Sequence, residues 1–173
     1  NDINSIMNGS YKYIGPQDSI VDLVIKMPLV DLPGLKEYYP LQLGSKTLHW
    51  LDTSLLKGQA QNTVIKLKGK VQDFPFVDAQ NKPDLNKGTF SVESIITNSF
   101  IEFGEGWPEL NNFDFKINVT NNHINFKSIK GNILNNNIEH MIVNIAPSNI
   151  EEPIMVVDLI LASPIPDIIN AIN

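Results

Sequence analysis

Apolar and polar residues alternate with a period of two through most of this chain. The clearest run sets Phe113, Phe115, Ile117 and Val119 against Asp114, Lys116, Asn118 and Thr120. Successive side chains of a strand point to opposite faces, so this pattern predicts a half-buried antiparallel strand with one dry and one wet side. Thr63 to Val71 repeats it, with Ile65, Leu67 and Val71 opposite Lys66, Lys68 and Lys70. An earlier strand spans Ser19 to Met27, with Val21, Leu23, Ile25 and Met27 on its more apolar side. Between the two clearest runs stand Phe74-Pro75-Phe76 and Lys87-Gly88-Thr89-Phe90-Ser91-Val92, the latter putting Phe90 and Val92 on one side, and then Phe103-Gly104-Glu105-Gly106-Trp107-Pro108.

After Thr120, Asn121-Asn122 marks a turn into His123 to Lys127, and Ile129 to Ile133 continues the alternation. Asn135 to Asn137 is a further turn before Ile138 to Ile145, whose apolar side holds Met141, Val143 and Ile145. Ile154 to Leu161 is apolar on both sides, which predicts a strand covered on both. Connections this short leave no room for helical crossovers. The expected fold is therefore mainly β, an antiparallel sheet whose neighbours follow sequence order.

Two short flanking helices are expected. Pro28, Pro33-Gly34 and Pro40 break the chain after the Ser19 strand, and Ser45 is a good N-cap for a helix over 45–57 carrying Leu48, Leu51 and Leu55, stopped by Gly58. Pro166-Asp167 opens a second over 164–173 with Ile168, Ile169 and Ile172. The whole of 1–173 reads as a single unit.

Composition narrows the function classes. The net charge is -6, every basic residue is Lys, and no basic cluster occurs, which argues against nucleic acid and against a polybasic membrane-surface site. There is no cysteine, so thiolate metal sites and disulfides are excluded. No stretch reaches the roughly 18 apolar residues of a membrane span. The chain begins with Asn and shows no signal-peptide pattern, so it is read as a fragment of a longer protein.

The order of features resembles the central region of YhdP-type proteins, over roughly residues 40 to 170. The resemblance rests on Trp50-Leu51, Leu55-Leu56-Lys57-Gly58, a strand ending in Gly69, Phe74-Pro75-Phe76, Gly88-Thr89-Phe90-Ser91-Val92, Gly106-Trp107-Pro108, the Gly131 strand and Ser163-Pro164. These proteins belong to the AsmA-like envelope group, related more distantly to TamB and to bridge-like lipid transfer proteins. The resemblance implies an elongated, curled antiparallel sheet with an apolar groove, in a periplasmic section of a protein anchored in the inner membrane. The implied cargo is phospholipid, moved toward the outer membrane, with the remainder of the full-length chain and other envelope proteins as partners.

The residues fit that expectation physically. Acyl chains offer few polar atoms to recognise, so a row of alternate strand residues is a sufficient surface, each buried CH₂ being worth about 0.8 kcal/mol. Ile65, Leu67, Phe90, Val92, Phe113, Phe115, Ile117, Val119, Ile124 and Phe126 are the expected groove residues. Two alternatives stay open. The dry faces of two sheets can close on each other as a β-sandwich, giving a structural or protein-interaction domain of the envelope. A polysaccharide module would use Tyr38, Tyr39 and Trp50. No enzyme, cofactor or metal is expected: His49, His123 and His140 are scattered, Glu102/Glu105 and Glu151/Glu152 read as solvated loop charge, Gly104-Glu105-Gly106 is too short to cradle a phosphate, and no nucleophile-elbow pattern occurs.

Overall fold

The computed structural model describes residues 4–15, 18–34, 55–102, 106–146 and 154–162. Eight strands run through them: β1 (Ile6–Lys12), β2 (Ile20–Asp31), β3 (Leu55–Lys70), β4 (Gly88–Ile101), β5 (Leu110–Thr120), β6 (His123–Ile133), β7 (Asn136–Ala146) and β8 (Ile154–Ala162). They form one open antiparallel sheet in the order β1 to β8, each strand beside its sequence neighbour. The meander expected from the short connections is therefore what forms, and among the described residues there is no second sheet to close a sandwich with it. Apart from single 3-10 turns at 32–34 and 71–73, the described residues hold no helix.

Three expectations change. Leu55 to Lys57, assigned to the end of a helix, belong to β3, and Gly58 is a strand residue with φ +125 whose Cβ position is 3.0 Å from the Ser99 backbone. Gly58 thus serves close approach of β3 to β4, a role in strands that also calls for glycine. The rest of the 45–57 helix and all of the 164–173 helix lie outside the described residues. Second, β2 does not stop at Pro28 but continues to Asp31. Pro28 lies beyond the last β1 pair, Ile6 with Lys26, and no pair forms between it and Asn62, so its missing N–H breaks no ladder bond. Third, the outer side of β8 is not covered: Ile154, Val156 and Ile160 are 57%, 58% and 51% exposed.

The alternation slips by one residue in strand after strand. Register shifts fall between Gln61 and Val64 in β3, Ile96 and Ser99 in β4, Asn111 and Asp114 in β5, and Ile138 and His140 in β7. Within the first three of these lie Asn62, Asn98 and Asn112, with φ of 51, 52 and 49. Asparagine tolerates this left-handed conformation better than other residues with a Cβ, which accounts for its use here. Each bulge bends its strand and increases the local twist.

One side of the sheet carries the core. Met27, Val30, Ala60, Ile96, Ile101, Leu110, Phe113, Phe115, Phe126, Ile133, Ile138, Met141 and Val143 are buried there in one connected cluster. Phe113 stacks on Phe115 at 4.9 Å, and Phe115 meets Phe126 edge-on at 5.3 Å. The opposite side shows Lys66, Lys68, Lys116, Asn118 and Lys127 to solvent.

The 71–87 connection closes one end of the strands. Phe76 is fully buried, and its ring fills the space over Gly69 and Gly88, where added Cβ atoms would stand 2.7 and 2.6 Å from it. The side chain of Asn121 holds this arrangement: Nδ2 donates to the Phe76 carbonyl at 2.8 Å and Oδ1 accepts from the Phe90 amide at 2.8 Å. Phe74 packs edge-on against both Phe76 and Phe90.

Candidate functional site

Because paired strands put directly opposed residues on the same face, register turns the alternation into rows that cross the sheet. One row runs Met7, Ile25, Ile65, Val92, Val119, Ile124, Ile145, Met155, each paired with the next. Every strand contributes one residue and every one is apolar. From Ile25 to Met155 each is half-buried, and Met7 on the edge strand is 61% exposed.

The next row, two residues along each strand, is different. Met27 pairs with Thr63, and Ser94 pairs with Ile117, which leads through Phe126 and Val143 to Val157. Phe126 and Val143 are 3% and 1% exposed. Thr63 and Ser94 interrupt the apolar series, their hydroxyls 2.7 Å apart, and Ser94 also donates to the Gln61 carbonyl at 3.2 Å. That carbonyl flanks the β3 bulge, so the hydroxyl pair supplies a bond at the place where the ladder is disrupted.

Further along, Val30, Ala60, Ile96, Phe115 and Ser128 form a third row, continued by Met141 and Leu159. Ser128 Oγ accepts from the Met141 amide at 2.8 Å. Beyond it, Phe113 lies against Gly131, where a Cβ would stand 2.6 Å from its ring, and Ser99 Oγ donates to the Phe113 carbonyl. The described residues leave no buried side-chain nitrogen or oxygen without a partner.

All ten residues expected to line a groove are on this side of the sheet. Ile65, Val92, Val119 and Ile124 are in the half-exposed row, and Leu67 and Phe90 belong to a shorter half-buried row beside it, with Leu23. Ile117 and Phe126 are in the Thr63–Ser94 row, while Phe115 and Phe113 keep only 1% of their surface. Sequence reasoning omitted Ile25, Ile145 and Met155. Ile25 and Ile145 already stood on the apolar sides of their strands; the missing information was the pairing that puts them in line.

Two hollows of about 430 Å³ each lie beside the bulged strand ends, one lined by Asn111, Asn112, Asn132 and Asn135, the other by Asn98, Asn112, Lys130, Gly131, Asn132, Asn137 and Ile138. Asparagine amides dominate both linings, and neither has the continuous apolar surface that a hydrocarbon chain needs. Among the described residues no group of three His, Asp or Glu side chains gathers to hold a metal. Asp18 accepts from Lys70 at 2.9 Å, and this bond raises the pKa of the lysine above its ordinary value, but the pair is exposed to solvent.

The family model described as YhdP protein matches residues 1–173. No curated protein and no solved structure matches the chain.

Proposed function

Since the chain belongs to the YhdP family of envelope proteins, we propose that its apolar side binds the acyl chains of phospholipid, as one section of a bridge carrying lipid between the inner and outer membranes. The observation that carries this reading is the Ile65 row, an unbroken series of apolar residues crossing every strand and left half-exposed. In this reading the bulges of β3, β4, β5 and β7 curl the sheet into a groove, with the Lys- and Asn-bearing side outward. The section works in the periplasm, and the remainder of the full-length protein supplies the membrane anchor. Among the described residues no helix is long and apolar enough to cross a membrane.

The test uses two adjacent residues of β5. Ile117→Asp is expected to abolish co-purification of phospholipid measured by native mass spectrometry, and Asn118→Asp to leave it unchanged, because only the first charge enters the apolar side. Equal losses from both would sink the assignment of faces.

One observation favours a second reading, in which the domain binds protein. The outer edge of β8 has no strand beside it among the described residues, and Ile154, Val156 and Ile160 are exposed on its outer side. Apolar edge strands recruit partner strands. A protein that protects β8 amides from hydrogen exchange while phospholipid fails to bind would establish that reading over the first.

A further inference from the structure

We propose that this surface takes linear acyl chains in single file along the Ile65 row, lying across the strands, and excludes both tails side by side and fused-ring lipids. The inference rests on the lipid-binding reading and adds to it an orientation, a width and a selectivity.

The width follows from how quickly exposure ends on either side of the row. In one direction the next residues on β6 and β7 are Phe126 and Val143, at 3% and 1% exposure, so a second chain laid alongside would find no surface there, while Ile117 on β5 and Val157 on β8 stay half-buried. In the other direction Leu67 and Phe90 continue for a short distance, and then Phe74 packs on Phe90 while Asn121 turns the chain from β5 into β6. On β6 and β7 the accessible band is therefore one residue wide, and every chain that crosses the sheet along the row passes this neck. Same-face neighbours along a strand are about 6.7 Å apart, room for one alkyl chain but not two.

Orientation follows from continuity. A chain lying along β6 or β7 would leave the half-exposed row after a single residue and meet buried Phe126 or Val143, and along β5 it would reach buried Phe115 just past Ile117. A chain lying across the strands meets apolar contact at every step, with strands about 4.8 Å apart giving a track of about 34 Å. A bilayer's hydrocarbon core of about 30 Å holds two leaflets, so one tail needs about 15 Å and the track seats about two, end to end. A flexible alkyl chain can follow the twist of the sheet, whereas a rigid fused-ring skeleton is wider than one chain and cannot.

The chain has no cysteine, so single cysteines report each position cleanly. Val119→Cys and Ile145→Cys place a thiol on β5 and β7 within the row, Ile117→Cys places one beside it on β5, and Asn118→Cys marks the polar side. Maleimide labelling is measured without lipid, with palmitate and with cholesterol, and native mass spectrometry counts bound palmitate. Palmitate is expected to slow labelling at Val119→Cys and Ile145→Cys about tenfold, equivalent to about 1.4 kcal/mol. It should leave Asn118→Cys unchanged and slow Ile117→Cys less than Val119→Cys, with cholesterol ineffective throughout. Equal protection by cholesterol, or protection of Ile117→Cys and Val119→Cys without Ile145→Cys, overturns the single-file track while bound palmitate still supports lipid binding. If no palmitate binds, both proposals fall.

Discussion

The two ends of the strands share one apolar side but treat it differently. Around the Phe115 and Phe113 rows the side chains are stacked, buried and interrupted by Ser99, Ser128 and Gly131. Along the Ile65 row they are unstacked, half-exposed and uninterrupted. The interruptions occur where the strands bulge, because a slipped register leaves backbone groups unpaired that a neighbouring hydroxyl then meets. Where the side chains are buried, small and polar residues are tolerated if each is satisfied; the row proposed to hold hydrocarbon contains none. A buried core and the proposed lipid-binding row are thus made from the same periodicity, with bulges marking where one gives way to the other.

The strongest way to sharpen this contrast is to damage the packed end alone. Phe115→Ala removes a ring that contacts both Phe113 and Phe126 and is expected to destabilise the fold by about 3–5 kcal/mol in urea unfolding. Val119→Ala in the half-exposed row should cost well under half of that, since much of its side chain already meets water. Comparable losses from the two would show that the rows do not differ in packing.

A smaller effect is expected at the bulge. Ser94→Ala leaves Thr63 Oγ1 without its 2.7 Å partner and the Gln61 carbonyl without its donor, in a position where water has little access. Unsatisfied buried groups of this kind cost about 1–3 kcal/mol. Ser91→Ala, a half-buried residue of the same strand on the other face, should change the unfolding midpoint much less. A neutral Ser94→Ala would mean that the hydroxyl pair does not support the bulge.

Much of this was legible in the alternation. Strand existence, antiparallel order and the apolar side of β2, β5 and β7 follow from residue parity, because a strand's face assignment is local. What parity does not contain is register, and register is what aligns Ile25, Ile65, Val92 and Val119 into a row. Asn62-Thr63 and Asn98-Ser99 carry a faint signal of the bulges, a left-handed-tolerant residue followed by a small hydroxyl where the pattern slips. Leu55 to Lys57 misled because leucines three and four apart fit a helix, and the strand partner that claims them, β4, lies far along the chain. Tertiary pairing overrode local periodicity there.

The smallest effect belongs to the polar side, and its smallness is itself part of the contrast. Lys68 meets Asp22 at 3.0 Å across β2 and β3, with side chains 72% and 50% exposed. Two charges in that much water gain little from each other and lose rotamer freedom when held together, so such pairs contribute about 0–1 kcal/mol. Lys68→Ala is expected to shift the unfolding free energy by no more than that and to leave phospholipid co-purification intact, with the small difference disappearing at high salt. Loss of bound lipid in Lys68→Ala would mean that headgroups are held on the side we assign to water.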